Sequence, residues 1–174
     1  MILTGKEIAS EVDKGRIRIS PYTPAHITPT SYDLTLGDTV LRYKDAVLDP
    51  KHPPQSDNIT MPPDGFRLNP GEFVLGHSVE EVGSDFYAGL IHARSGIARL
   101  GLFVHVTSDL IHTGSYGQVT FQFYATLPVT LKPGMPVGQI TFWQPQGEIE
   151  LYRGRYHGQQ GVRASEIYRD FEGK

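Results

Sequence analysis

Two arginines, a serine and a glycine fall within six residues of one another, at Arg94, Ser95, Gly96 and Arg99. A short helical turn opening near Ser95 would offer free backbone N–H groups and a hydroxyl to an anion. Guanidinium forks match phosphate oxygens two at a time. The cluster reads as an anion grip; its plainer reading is a capped turn with solvated arginines. A second polar segment, residues 105–117, carries Ser108, Asp109 and His112 ahead of a glycine-bounded turn. These are candidates for activating water, with His112 the one whose pKa normally lies near neutrality; a structural histidine is the alternative. A third segment, residues 153–161, sets Arg155, Tyr156, His157 and Gln159 between glycines. That composition suits a flap closing over a charged, planar ligand, or else a solvated tail.

Several chemistries are excluded. Neither a Walker A loop nor a dinucleotide-binding glycine fingerprint occurs. The chain has no cysteine, which removes disulfides, thiolate catalysis, iron–sulfur clusters and Cys-ligated zinc. Histidines 26, 52, 77, 92 and 157 show no metal-ligand spacing, and the H-x-E with P-C-x-x-C signature of zinc base deaminases is absent. A formal charge of -3 argues against a nucleic-acid partner, which selects basic surfaces. No apolar run approaches the roughly 18 residues that span a bilayer, and residues 1–6 show no basic start leading into an apolar stretch. A cytoplasmic protein without a membrane partner is expected.

The elements that must position these groups are mostly strands. At 174 residues the chain suits one domain, read as residues 1–153 with a C-terminal flap or tail at 154–174. Nineteen glycines and 13 prolines favour many short strands joined by turns. Thr4 and Glu7 form a capping box ahead of Ile8 and Val12, and Gly15 can close that helix. From Ser31 onward the pattern is β. Gly37-Asp38 reads as a turn, residues 50–64 as a long proline-rich loop, and Pro133-Gly134 as a turn. Strands are predicted over 73–82, 86–92, 102–106, 118–126 and 137–143. Within 118–126, Val119, Phe121, Phe123 and Ala125 share one face, which predicts core. Thr120, Gln122 and Tyr124 share the other, which predicts solvent, a partner subunit or a ligand. The tail holds too few apolar residues for a core of its own and should order against something.

At these segments the chain resembles the dCTP deaminase family, which shares its fold with the trimeric dUTPases. Residues 93–102, ARSGIARLGL, followed by HVTS at 105–108, resemble that family's phosphate-binding segment. PTSYDLTLG at 29–37 resembles its N-terminal strand, LKPGM at 131–135 with Gly138-Gln139 its late hairpin, and RYHGQQG at 155–161 its C-terminal flap. The resemblance runs collinearly over nearly the whole chain. It implies an all-β fold with a short N-terminal helix, a distorted β-barrel assembled as a homotrimer with active sites between subunits. It also implies a nucleoside triphosphate substrate, a pyrimidine deoxynucleotide, carrying Mg²⁺ on its phosphates. Arg94, Ser95 and Arg99 match the triphosphate-binding positions, and Gly96 stands where the family has a second serine. Tyr152, Arg155 and Gln159 match the tail residues that contact the nucleotide.

Departures from the family pattern fall on the chemistry. The glutamate that holds the attacking water is matched by Gln122, and the aspartate of the glycine turn by His112. Leu110 stands in place of an arginine and Ser108 in place of an alanine. A neutral amide cannot take a proton from water. Three readings follow: deamination of dCTP to dUTP with reassigned acid–base groups, a dUTPase-like pyrophosphatase, or a nucleotide-binding regulator without chemistry. If chemistry survives, His112 is the expected base and Asp109 the weaker candidate.

Overall fold

The computed structural model describes residues 1–105 and 107–173; Val106, the end of one predicted strand, and Lys174, the end of the tail, lie outside them. Helix α1 spans Gly5–Asp13 and starts as the capping box predicts, with the Thr4 hydroxyl accepting from the Glu7 N–H at 3.3 Å. Gly15, at φ +69°, turns the chain out of it. Ile8 points into the core. Glu11 is also fully buried, and it is partnered throughout: Arg16 donates to it at 2.6 Å, Tyr87 at 2.7 Å and Lys14 at 2.9 Å. The Arg16 guanidinium, more than any other group, holds its pKa at about 2.

Strands follow as β1 (Arg18–Ser20), β2 (Tyr32–Tyr43), β3 (Ser56–Thr60), β4 (Phe66–Leu68), β5 (Phe73–Gly83) and β6 (Ala88–Ala93). After the one-turn helix α2 (Ser95–Ala98) come β7 (Leu102–Phe103), β8 (Leu110–Ile111), β9 (Tyr116–Ala125), β10 (Val129–Leu131) and β11 (Pro136–Trp143). The main sheet runs β7-β9-β5-β2-β11-β6-β8, with β1 also on β5 and β3 also on β2; β4 and β10 pair separately. Every pairing is antiparallel. The period-two prediction for β9 holds: Val119, Phe121, Phe123 and Ala125 are buried, and the two phenylalanine rings meet at 5.6 Å.

Two predictions are corrected. Gly37-Asp38 is not a turn; β2 continues through it and bulges, four steps from Leu36 to Val40 facing two steps of β5. A Cβ on Gly37 would lie 2.1 Å from the His77 ring, so glycine is needed for packing and not for reversal. β5 bulges in turn against β9 between His77 and Glu81. The Ser78 hydroxyl repairs that gap, accepting from the Val119 N–H at 2.8 Å and donating to the Glu80 carbonyl at 2.5 Å. Residues 50–64 are not one loop either, because β3 lies inside them and pairs with the end of β2. Among the shorter strands, β4, β8 and β10 had no periodic signal, being two or three residues long.

Beyond Gly154 the chain turns back across its own sheet. The Gly158 N–H donates to the Tyr116 carbonyl at 2.7 Å, and the Gln118 N–H to the Gln159 carbonyl at 2.9 Å. Gly117 makes this approach possible, since a Cβ there would sit 2.7 Å from the Gln159 nitrogen. Val162 completes a small apolar cluster with Leu41 and Leu75 on the face away from the main core.

Candidate functional site

The polar face of β9 forms one wall of a cavity of about 470 Å³. Gln122 and Thr120 point into it from the strand, and Ser108, Leu110, Ile111 and His112 come from the segment around β8. The returning tail closes it with Tyr152, Tyr156, Gln159 and Arg163. Gln159 is 5% exposed, and its amide donates to the Thr120 hydroxyl at 2.6 Å and the Gly161 carbonyl at 3.1 Å. The rings of His112 and Tyr152 stack at 5.4 Å with an interplanar angle of 14°. Gln122 is held from two sides: its N–H donates to the Val104 carbonyl at 2.8 Å, and its Oε1 accepts from the Thr107 N–H at 3.3 Å. No aspartate or glutamate lines this cavity among the described residues.

A second cavity, of about 340 Å³, lies beyond the end of β6. Arg94, Ser95 and Gly96 line it, opposite Thr28, Asp33 and Gln139. Arg94 Nε sits 3.0 Å from Asp33 Oδ2, and burial pushes the Asp33 carboxyl up from its ordinary pKa while Arg94 pulls the other way. The first N–H groups of α2 have no acceptor within so short a helix. A Cβ on Gly96 would meet nothing within 4 Å, so the second hydroxyl of the family pattern is missing without steric compulsion.

The predicted site residues thus divide. His112, Ser108, Gln122, Tyr152 and Gln159 share the larger cavity, and Arg94, Ser95 and Gly96 share the smaller. Three lie on neither wall. Arg99 is exposed at the end of α2. Arg155 is turned onto the Glu166 carbonyl at 2.7 Å and paired with Asp170. Asp109 is exposed, its carbonyl accepting from the Ile91 N–H at 3.0 Å. Tyr43, Gln118 and His105 also line the larger cavity and were not singled out from sequence. Gln118 was within reach of the alternation in β9, and His105 opens the HVTS stretch of the polar segment 105–117 without having been given a role; Tyr43 carried no pattern of its own. Among the described residues no helix is long and apolar enough to cross a membrane.

A family model described as dCTP deaminase-like matches residues 2–145. The protein named dCTP deaminase, dUMP-forming, from Clostridium botulinum (strain Eklund 17B / Type B) is 36% identical over 173 residues, 99% of each chain. The protein of that name from Leptospira biflexa serovar Patoc (strain Patoc 1 / Ames) is 36% identical over 175 residues, 100% of each. A crystal structure of 2′-deoxycytidine 5′-triphosphate deaminase from Agrobacterium tumefaciens superposes with a TM-score of 0.65 at 20% identity. It covers 81% of this chain and 47% of its own, so this chain spans about half the length of that structure. With the sheet described above, this likeness identifies the fold as the dUTPase-like distorted barrel expected from the resemblance.

Proposed function

Because this chain belongs to the dCTP deaminase-like family, we propose that it hydrolyses a pyrimidine deoxynucleoside triphosphate, removing the exocyclic amine of cytosine and releasing pyrophosphate. The product is then the monophosphate. The dUMP-forming names of the relatives favour this joined reaction over the dUTP product expected from sequence. The observation that carries the reading is the pair of cavities. One offers Arg94 with the N–H groups of α2, which suits phosphate oxygens; the other offers an amide, aromatic rings and a flap, which suits a base.

The two cavities share no lining residue. This supports the homotrimer implied by the resemblance, in which the phosphate grip of one copy faces the base cavity of its neighbour. Asp33 engages the Arg94 guanidinium through Nε and fixes its plane, and the fork has further N–H donors for phosphate. Gln122, with Oε1 already accepting from Thr107, donates through its amide N–H to an acceptor on the base edge. It orients the base and moves no proton. The stacked rings of His112 and Tyr152 extend a flat surface beside it. Residues 154–174 act as the flap, with Gln159 as its latch on β9. Mg²⁺ enters as part of the substrate, on its phosphate oxygens. Among the described residues no group of three or more His, Asp or Glu could hold a metal ion.

The test is incubation with each pyrimidine nucleotide and Mg²⁺, following ammonia and pyrophosphate separately. Both products from dCTP support the proposal. Pyrophosphate alone supports a dUTPase-like pyrophosphatase, and tight binding with neither product supports a regulator.

A further inference from the structure

The cavity that holds Gln122 has no carboxylate on its wall among the described residues, yet hydrolysis there needs a group that takes a proton from water. The loop that grips Gln122 carries one. Val104 and Thr107 hold the Gln122 backbone and side chain from either side, and His105 lies between them on the same cavity wall. Its Nε2 is 2.8 Å from the Ser108 carbonyl. A carbonyl only accepts, so Nε2 carries the proton and the neutral ring keeps its lone pair on Nδ1. That Nδ1 is buried and has no hydrogen-bond partner among the described residues. Buried polar atoms are usually paired, and the exceptions mark functional atoms or bound water. Ser108, at φ +60°, is the one non-glycine residue with positive φ among those described. Strained backbone of this kind collects at functional sites, and here it turns the Ser108 carbonyl onto the ring.

We propose that His105, through Nδ1, is the general base that activates water for deamination at this site. The proposal rests on the hydrolase reading above. His112 is exposed and stacked on Tyr152, which suits holding the nucleotide. Burial is the largest influence on the His105 ring and lowers its pKa, with His92 acting the same way; the Ser108 carbonyl and Asp109 oppose them. The neutral, proton-accepting form therefore prevails around neutral pH. As the water oxygen bonds to the ring carbon bearing the amine, Nδ1 takes one water proton. That proton passes to the ring nitrogen that receives the displaced electron pair. His105 then moves the hydroxyl proton to the amine as the C–N bond breaks and the C=O bond forms. One water is consumed and one ammonia released.

His105→Gln keeps an N–H that can donate to Ser108 and removes the basic nitrogen. Ammonia release from dCTP with Mg²⁺ is followed for parent and variant from about pH 5 to pH 9, the range that brackets histidine. The expected result is a kcat lower by roughly 10²–10⁴-fold, KM little changed, and loss of the acidic limb of the kcat profile. An unchanged kcat, or a fall that leaves the acidic limb in place, overturns the base role alone. No product from the parent protein overturns the hydrolase reading and the base role with it. Nitrogen NMR of the parent gives an independent check if the variant does not fold. A bare Nδ1 and a protonated Nε2 on His105 are expected, and the opposite tautomer overturns the proposal.

Discussion

The Thr107 backbone N–H lies 3.3 Å from Gln122 Oε1, with the Thr107 hydroxyl at 3.5 Å from the same atom. The carbonyl end of this amide is thus taken up by the loop that also carries His105. A carboxylate in its place would find the same donors, and hydrogen bonds to the charged form keep an acid ionised against the cost of burial. Gln122→Glu should then add a second proton acceptor beside the base and raise ammonia release from dCTP by roughly tenfold or more. No increase would mean that Leu110 and Ser108 have already reshaped the cavity for another base.

Arg94 and Asp33 form a pair that aims one guanidinium at the smaller cavity. Arg94→Ala should weaken triphosphate binding by about 1–3 kcal/mol, the range for charge-assisted bonds, while the bare nucleoside binds as before. Light scattering should give three times the chain mass of 19.3 kDa. Co-assembled with Tyr152→Ala chains, Arg94→Ala chains should regain part of their activity, because some interfaces then receive both intact halves. Mixtures no better than either variant would place both cavities of one site in a single copy.

Val162 fastens the tail to Leu41 and Leu75, so Val162→Asp should lift the flap by putting a charge into an apolar contact. Nucleotide affinity or turnover is expected to drop. The barrel should lose only about 1 kcal/mol, since its main core lies on the other face of the sheet. Deletion of residues 154–174 should behave alike in a nucleotide assay read beside a thermal melt. Equal activity after truncation would reduce the tail to a solvated linker.

Glu11 supplies a pH dependence of stability. Its pKa in the folded protein is about 2, against an ordinary value of 4.5. A depressed carboxylate pKa stabilises the fold above the unfolded value, and that contribution disappears as pH falls from about 4.5 towards 2. The urea midpoint should decline across this window. In Glu11→Gln the decline should flatten, and the midpoint at neutral pH should already be low, because Arg16 loses its carboxylate partner.

The barrel was legible wherever a regular period ran long enough to be counted. Alternation over β9 separated core from site correctly, and Thr4 with Glu7 announced α1, because both signals are local. Gly37-Asp38 misled for the same reason: a glycine beside an aspartate looks like a turn, and only the His77 ring, forty residues on, shows why the strand bulges there. β3 stayed hidden among prolines because its identity as a strand comes from pairing with the end of β2.

For the site, residue types and spacing alone singled out the cluster Arg94, Ser95, Gly96 and Arg99 as a candidate anion grip, an amide at position 122 and a glycine-rich tail, since these are properties of neighbours along the chain. Tertiary structure alone decided that the grip and the amide occupy separate cavities, that Gln159 latches onto Thr120, and that Arg155 faces Glu166 and Asp170. It also decided that the buried Nδ1 of His105 has no hydrogen-bond partner among the described residues. His105 stands in the HVTS stretch that carries the family resemblance, but nothing in the sequence gives it a role. Its tautomer follows from where the Ser108 carbonyl turns and its burial from what packs over it, and both are set by the folded backbone.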